Sequence, residues 1–401
     1  MTDRLHLATG TADVLAGLRR SLAGGPTVAP LPSDTRERER TLAMLQPDVA
    51  GPRAAAIVAT SGSTGHPRGV VLPRTALLAS AEATHARLDG PGTWVLALPP
   101  HYVAGLMVLV RSLVAGRAPL EVDSRLAGLP DLNFAGSGPH YVSLVPLQLA
   151  RALTDSPRTA ALRRVTAVLL GGAAADPRLL DRAADAGIRV VTTYGMSETC
   201  GGCVYDGRPL DGVEVAVDHH GRIAIGGPTL FAGYRLDPGA TAETLVEGRL
   251  LTRDRGRLSE SRLTVLGRLD DVVISGGLNV DLGAVERGVH SWAATLGVEA
   301  VVVGLPEPMW GTEVVAVVGD EGNPTDVSTF PRGARSAGET CDGVPPGSSL
   351  ADLRAALSTD LPAYALPRRL VRRRSLPQTP GGKVDRRRLV AELSAAPQDE
   401  S

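Results

Sequence analysis

Short apolar runs and longer amphipathic stretches alternate along the first half of this chain. The runs are AAAIVA (54–59), TWVLALP (93–99), YVSLVP (141–146), VTAVLLGG (165–172) and IRVVTTYG (188–195), each short and rich in β-branched or apolar residues. Between them lie stretches with helical spacing, such as PLQLARAL (146–153) and DPRLLDRAADAG (176–187). In the second of these, Asp176 stands at the N-cap, Pro177 at the first helical position and Gly187 at the C-terminal stop. Strand–helix alternation of this kind predicts an α/β fold with mostly parallel sheet.

From 204 to 267 the pattern shifts to short strands and Gly/Pro turns (VEVAVD, GRIAIGG, SRLTVLG), which reads as a β subdomain. Around GRLDD (267–271) it changes again, to VVISGG, EAVVVG and EVVAVVGD interleaved with helix-like stretches and a basic tail. The expected organisation is a large N-terminal domain over 1–269 and a small α+β C-terminal domain over 270–401. Residues 321–349, rich in Gly, Pro, Ser and Thr, read as a mobile loop inside the second domain.

Composition narrows the function classes. With 401 residues, 43% hydrophobic and 21% charged, the chain reads as soluble and globular. A net charge of -1 gives no reason to expect nucleic acid or an acidic membrane surface as the main partner. No run approaches the roughly 18 apolar residues of a membrane span, and MTDRLHLATGTADVL has no secretory pattern. Three cysteines point to a reducing compartment, so a cytoplasmic location is expected. Of 42 Lys+Arg residues only Lys383 is a lysine. Where a coding bias turns surface lysine into arginine, a lysine that persists marks a position arginine does not fill.

Four segments carry chemistry. TSGSTGHPRG (60–69) follows a strand signal and offers backbone N–H groups and the hydroxyls of Thr60, Ser61, Ser63 and Thr64, with Gly62 and Gly65 permitting close approach. A Ser/Gly linker has the same composition, but its place after a buried run favours phosphate binding. It ends in Arg68-Gly69 and so lacks the Lys-Ser/Thr pair of a P-loop. TTYGMSET (192–199) places Tyr194 to stack on a base, Ser197 or Thr199 to reach phosphate, and Glu198 as a hard oxygen ligand for Mg²⁺. Asp254 in TRD can accept from ribose hydroxyls, and Arg268 in GRLDD can reach ribose or phosphate. Finally, LPQTPGGKVDRRRL (376–389) puts Lys383 on a Gly/Pro loop. Cys200-Gly-Gly-Cys203 with His219 and His220 lacks the spacing of a structural zinc site, and reads as small packing residues. The arginines of 367–374 and 386–388 fit a CoA-phosphate contact and a solvated charged face equally well.

In order and content these segments resemble the adenylate-forming superfamily of acyl- and aryl-CoA synthetases, luciferases and peptide-synthetase adenylation domains. The resemblance implies that a carboxylate and ATP give acyl-AMP and pyrophosphate, after which a thiol attacks the acyl-AMP. It implies a mobile C-terminal domain and an active site between the two domains. Residue by residue, it assigns Thr60, Ser61, Gly62, Ser63, Thr64, Gly65 and Arg68 to pyrophosphate. Gly171, Gly172, Ala173, Tyr194, Gly195, Met196, Ser197 and Thr199 surround the nucleotide, with Glu198 on Mg²⁺ and Asp254 and Arg268 on ribose. Asp270 matches the hinge, Lys383 the catalytic lysine, and Ser275, Gly276 and Gly277 the segment presented to CoA. LPPHYVAGLMVLVRSLVAG (98–116) and YGMSETCGGCVYDGRPLDGVEV (194–215) look most like the o-succinylbenzoate–CoA ligases of menaquinone biosynthesis. That likeness implies an aromatic carboxylate as substrate and His101, Tyr102, Ser143 and Gly171 as its lining, with His101-Tyr102 in the reverse of the usual aromatic–His order. Another acyl-CoA ligase, a carrier-protein-loading enzyme and a non-catalytic nucleotide-binding protein remain alternatives, and the oligomeric state is open, a homodimer included.

Overall fold

A computed structural model describes residues 4–60, 67–134, 138–309, 311–319, 348–378 and 384–395. The chain divides into two compact units: Met1–Thr252 with Gly256–Thr264, and Arg253–Arg255 with Val265–Ser401. This division falls before the 269–271 boundary expected from the pattern, and it assigns Asp254 to the second unit.

The first unit opens with β1 (His6–Thr9), α1 (Gly10–Leu22), β2 (Val28–Leu31) and α2 (Thr35–Leu45), a region the apolar pattern leaves unassigned. Next come β3 (Ala56–Thr60), β4 (Arg68–Leu72), α3 (Arg74–Arg87), β5 (Thr93–Leu96), α4 (Val103–Val114) and β6 (Leu120–Glu121). The alternation continues through β7 (His140–Leu144), α5 (Pro146–Ala152), α6 (Ser156–Leu162), β8 (Ala167–Leu170), α7 (Pro177–Asp185) and β9 (Val190–Met196). Short strands follow: β10 (Gly201–Tyr205), β11 (Arg208–Pro209), β12 (Glu214–Val217), β13 (Arg222–Gly226) and β14 (Gly233–Tyr234). Helix α8 (Pro238–Thr244) leads into β15 (Leu245–Val246), β16 (Arg249–Ser259) and β17 (Arg262–Arg268), of which Arg253–Arg255 and Val265–Arg268 belong to the second unit.

Three sheets result. One runs β1-β2-β3-β4-β14, with β1, β2 and β3 parallel and the last two strands antiparallel to their neighbours. The second runs β11-β10-β9-β8-β7-β5-β6 and is parallel from β9 to β6. The third runs β12-β13-β16-β15, with β17 beside β16, as the turn-rich pattern predicts. Strand alternation sends residues i and i+2 to one face. Val58, Val70, Trp94, Leu96, Tyr141 and Leu169 accordingly share a core with α3 and α4, while Val95, Val142, Leu144, Val168 and Leu170 pack on α5, α6 and α7. Leu106, Met107, Val108, Leu109 and Val110 of α4 are all buried, as expected of a helix apolar all round. Helix α7 begins where its caps predict, with the Asp176 carboxylate accepting from the Arg178 N–H at 2.8 Å.

The second unit contains β18 (Val272–Ser275), β19 (Leu278–Asp281), α9 (Leu282–Leu296), β20 (Glu299–Glu307) and β21 (Gly311–Gly319), then α10 (Leu350–Leu357), β22 (Arg369–Arg373) and α11 (Arg386–Ala395). Its sheet runs β19-β18-β21-β20, with β22 parallel to β21. Val302, Val314 and Ala316 face α9 and α10, whereas Val301, Val315 and Val317 face α11. Burial on both faces accounts for the unbroken apolar runs EAVVV and VVAVV. No helix among the described residues is long and apolar enough to cross a membrane.

Candidate active site

The parallel strands β5, β7, β8 and β9 bring their C-terminal ends to one edge of the second sheet. Ligands bind at that edge in open α/β sheets. His101 and Tyr102 follow β5, Ser143 sits near the end of β7, Gly171–Ala173 follow β8, and Tyr194–Met196 end β9. The segment TTYGM continues the strand that the run IRVVTTYG predicts, and β10 pairs with it antiparallel. That pairing demands glycine: a Cβ on Gly195 would lie 2.0 Å from the Gly201 carbonyl oxygen. A Cβ on Gly171 would meet Thr193 Oγ1 at 2.4 Å, and the Gly171 N–H donates to the Leu144 carbonyl at 3.1 Å. Tyr194 is half-buried against the core and Ala173 is exposed. The buried hydroxyl of Ser143 has no hydrogen-bond partner among the described residues.

Ser197–Thr199 form one 3-10 turn between β9 and β10. Thr199 is fully buried, its Oγ1 accepting from the Met196 N–H at 2.9 Å and lying 2.7 Å from the Gly201 carbonyl. That hydroxyl is spent on the turn that presents Glu198. The Tyr234 hydroxyl donates to Glu198 Oε1 at 2.8 Å, and the Phe231 N–H donates to the Glu198 carbonyl at 2.9 Å. Burial first, and then the Glu198 charge, push the Tyr234 phenol well above its ordinary range, so it stays a donor. Arg68 completes the group, with its guanidinium carbon 5.2 Å from the Tyr234 ring centroid and its Nε 3.9 Å from Asp237. Sequence reading did not find Tyr234, although an aromatic next to arginine in FAGYRLDPG (231–239) is the available signal.

At the start of α4, the rings of His101 and Tyr102 lie 4.3 Å apart, and the Tyr102 hydroxyl donates to the Glu37 carboxylate. Burial pushes the His101 imidazole below its ordinary value, opposed by the Glu37 charge. His101 Nε2 is buried without a hydrogen-bond partner among the described residues. Glu37 was also missed, hidden in the charge run TRERERT (35–41).

Ser61, Gly62, Ser63, Thr64 and Gly65, expected at phosphate, and Lys383 lie outside the described residues. Their flanks are defined. Thr60 pairs with Arg68 across β3 and β4, and Gln378 forms an antiparallel bridge with Val384.

Within the second unit, Arg268 joins the two carboxylates expected at ribose and hinge. Its Nη1 lies 3.5 Å from Asp254 Oδ1 and its Nη2 3.0 Å from Asp270 Oδ2. Burial alone would raise the Asp270 carboxyl, but the bonds and charges of Arg268 and Arg253 outweigh it and hold the group below the usual carboxylate range. Gly276 and Gly277 form the β18–β19 turn with φ of +60° and +79°, and the buried Ser275 hydroxyl has no partner among the described residues.

Comparison with known proteins places this geometry. The model of the AMP-binding enzyme family matches residues 18–235. A Mycobacterium tuberculosis protein named as a probable 2-succinylbenzoate–CoA ligase is 43% identical over 96% of this chain and 97% of its own length. A 2-succinylbenzoate–CoA ligase from Listeria monocytogenes is 28% identical over 84% of this chain and 70% of its own. Among solved structures, wild-type E. coli MenE with a bound analogue of OSB-AMS superposes with a TM-score of 0.70 at 25% identity, covering 98% of this chain and 88% of that one. The chain therefore belongs to the AMP-binding enzyme family, whose adenylate-forming members its motifs resemble.

Proposed function

We infer that this chain is an o-succinylbenzoate–CoA ligase, an ATP-dependent, AMP-forming enzyme. The observation that carries this reading is 43% identity over nearly the whole length of a relative bearing that name. A carboxylate oxygen of the substrate forms a bond to the α-phosphorus of ATP while the bond to pyrophosphate breaks. The CoA thiol then loses its proton, sulfur bonds to the acyl carbon, and AMP departs.

We assign the residues as follows. Thr60–Gly65 and Arg68 hold pyrophosphate; Gly171–Ala173 and Tyr194 flank adenine, with Gly195 and Met196 beside the nucleotide; Asp254 and Arg268 bind ribose. Glu198 is fit to hold Mg²⁺: Tyr234 occupies Oε1, and Oε2 makes no hydrogen bond among the described residues. Bound there, the ion neutralises phosphate charge. Lys383 bridges carboxylate and phosphate oxygens, a point charge where a planar guanidinium does not fit. His101, Tyr102, Ser143 and Gly171 line the acyl site, Asp270 is the hinge, and Ser275–Gly277 meet the thiol. We place the enzyme in the cytoplasm.

The test is pyrophosphate release with ATP and Mg²⁺ across o-succinylbenzoate, benzoate, salicylate and medium-chain fatty acids, with and without CoA. A selective response to o-succinylbenzoate, with its CoA thioester seen by mass, is expected. A response to another acid, or acyl-AMP without a CoA thioester, overturns the substrate or thiol assignment.

A further inference from the structure

Tyr234 touches both charged groups that the proposed function sets against the nucleotide's phosphates. Its hydroxyl holds Glu198 Oε1 at 2.8 Å, and its ring lies under the Arg68 guanidinium at 5.2 Å. The ring is itself braced. Tyr234 pairs with Val70 in the first sheet, its N–H donates to Thr241 Oγ1 at 2.8 Å, and Phe231 meets it edge-on at 5.0 Å. Because the Phe231 N–H also holds the Glu198 carbonyl, one short segment restrains both the backbone and the side chain of Glu198.

We propose that Tyr234 is a positioning residue whose hydroxyl sets the rotamer of Glu198 for Mg²⁺ and whose ring separately seats Arg68 beside it. The proposal rests on Glu198 and Arg68 having the roles assigned above. A hydrogen bond on one carboxylate oxygen leaves the other to ligate, and it lowers the cost of ordering a side chain that otherwise samples several rotamers. The ring face suits arginine at position 68. A planar guanidinium stacks on tyrosine, whereas an ammonium offers no flat surface. Asp237, 3.9 Å from Arg68 Nε, steers the guanidinium from its edge.

The experiment measures Mn²⁺ binding by electron paramagnetic resonance in the full-length protein with saturating ATP and no carboxylate, so that no turnover occurs. Wild type is compared with Tyr234→Phe, Glu198→Gln and Arg68→Lys. Losing an outer partner of a metal ligand costs roughly tenfold in metal affinity, so Tyr234→Phe should weaken Mn²⁺ by about that factor while the protein remains folded at the assay temperature, as a thermal melt checks. Tyr234→Phe keeps the ring, so its affinity for inorganic pyrophosphate should be unchanged, whereas Arg68→Lys should lower that affinity and leave Mn²⁺ binding intact. Mn²⁺ binding by Tyr234→Phe equal to wild type, with Glu198→Gln weakened, overturns the role of Tyr234 and leaves the metal assignment standing. Full Mn²⁺ affinity in Glu198→Gln overturns both.

Discussion

The Tyr102 hydroxyl donates to the Glu37 carboxylate, tying the residue that opens α4 to the first turn of α2. The Asp34 carboxylate accepts from the Glu37 N–H at 2.9 Å, so the acceptor is itself held by a helix cap. His101, packed on Tyr102, inherits its position from this chain of contacts.

Tyr102→Phe should therefore act on the acyl site more than on the nucleotide site. The expected outcome is a raised KM for the carboxylate with KM for ATP unchanged. Loss of one charge-assisted hydrogen bond should also lower stability by about 1.5–3 kcal/mol. Steady-state kinetics and urea unfolding check the two parts separately.

The buried pair His85 and Trp94 should contribute to the acid limb of stability. Trp94 Nε1 donates to His85 Nε2 at 3.3 Å, which requires a neutral imidazole. Burial, and then the charge of Arg111, push His85 down to about 4. Unfolded, the same group titrates near the ordinary histidine value of about 6.5. Between those values the unfolded chain binds the extra proton, so stability is intact above about 6.5 and falls as pH drops towards 4, by at most about 1.4 kcal/mol per pH unit. His85→Gln should flatten that slope in urea midpoints measured against pH. Some slope should remain, because burial also lowers His101 and His140.

Arg235 is a buried cation satisfied by carbonyls. Its guanidinium donates to the carbonyl oxygens of Leu45, Gln46 at 3.0 Å, Val49 at 2.9 Å and Ala50 at 3.3 Å, while its own N–H donates to Gly69 at 2.7 Å. It thus fastens the end of α2 to β4 at Gly69. Arg235→Lys cannot reproduce the fork and should cost at least about 1.5–3 kcal/mol. Thermal melts of this variant beside Arg257→Lys as a control provide the check.

Lys383→Ala should separate the two half-reactions. Pyrophosphate release should fall by orders of magnitude, while thioester formation from supplied acyl-AMP and CoA should persist. Equal loss of both would remove Lys383 from its assigned role. Single-turnover assays of each half-reaction decide.

Cys200 and Cys203 should resist alkylation in the folded protein. Both are fully buried, and burial pushes Cys203 up to about 12 and Cys200 higher, aided by their proximity. The thiolate is the reactive form. Iodoacetamide followed by peptide mapping should label these two positions only after unfolding.

What the sequence determined by itself was local or periodic. Helix α7 was legible because its N-cap, proline and terminal glycine act within one element, and the parallel strands were legible because burial on both faces demands unbroken apolar runs. The order of TSGSTGHPRG, TTYGMSET, GRLDD and GGKVD carried the family resemblance, which the match over residues 18–235 shows. Tertiary structure alone decided the rest. The four-residue strands β1 and β2 have too little periodicity to read, and exist as strands because each pairs in parallel with a neighbour. Asp254 falls in the second unit, beside Arg268 at 3.5 Å, which is distant in sequence. Tyr234 with Glu198, and Tyr102 with Glu37, meet across 36 and 65 positions, where no spacing rule operates. Such partners are chosen by the path of the chain through space, and a single sequence records the residues without that path.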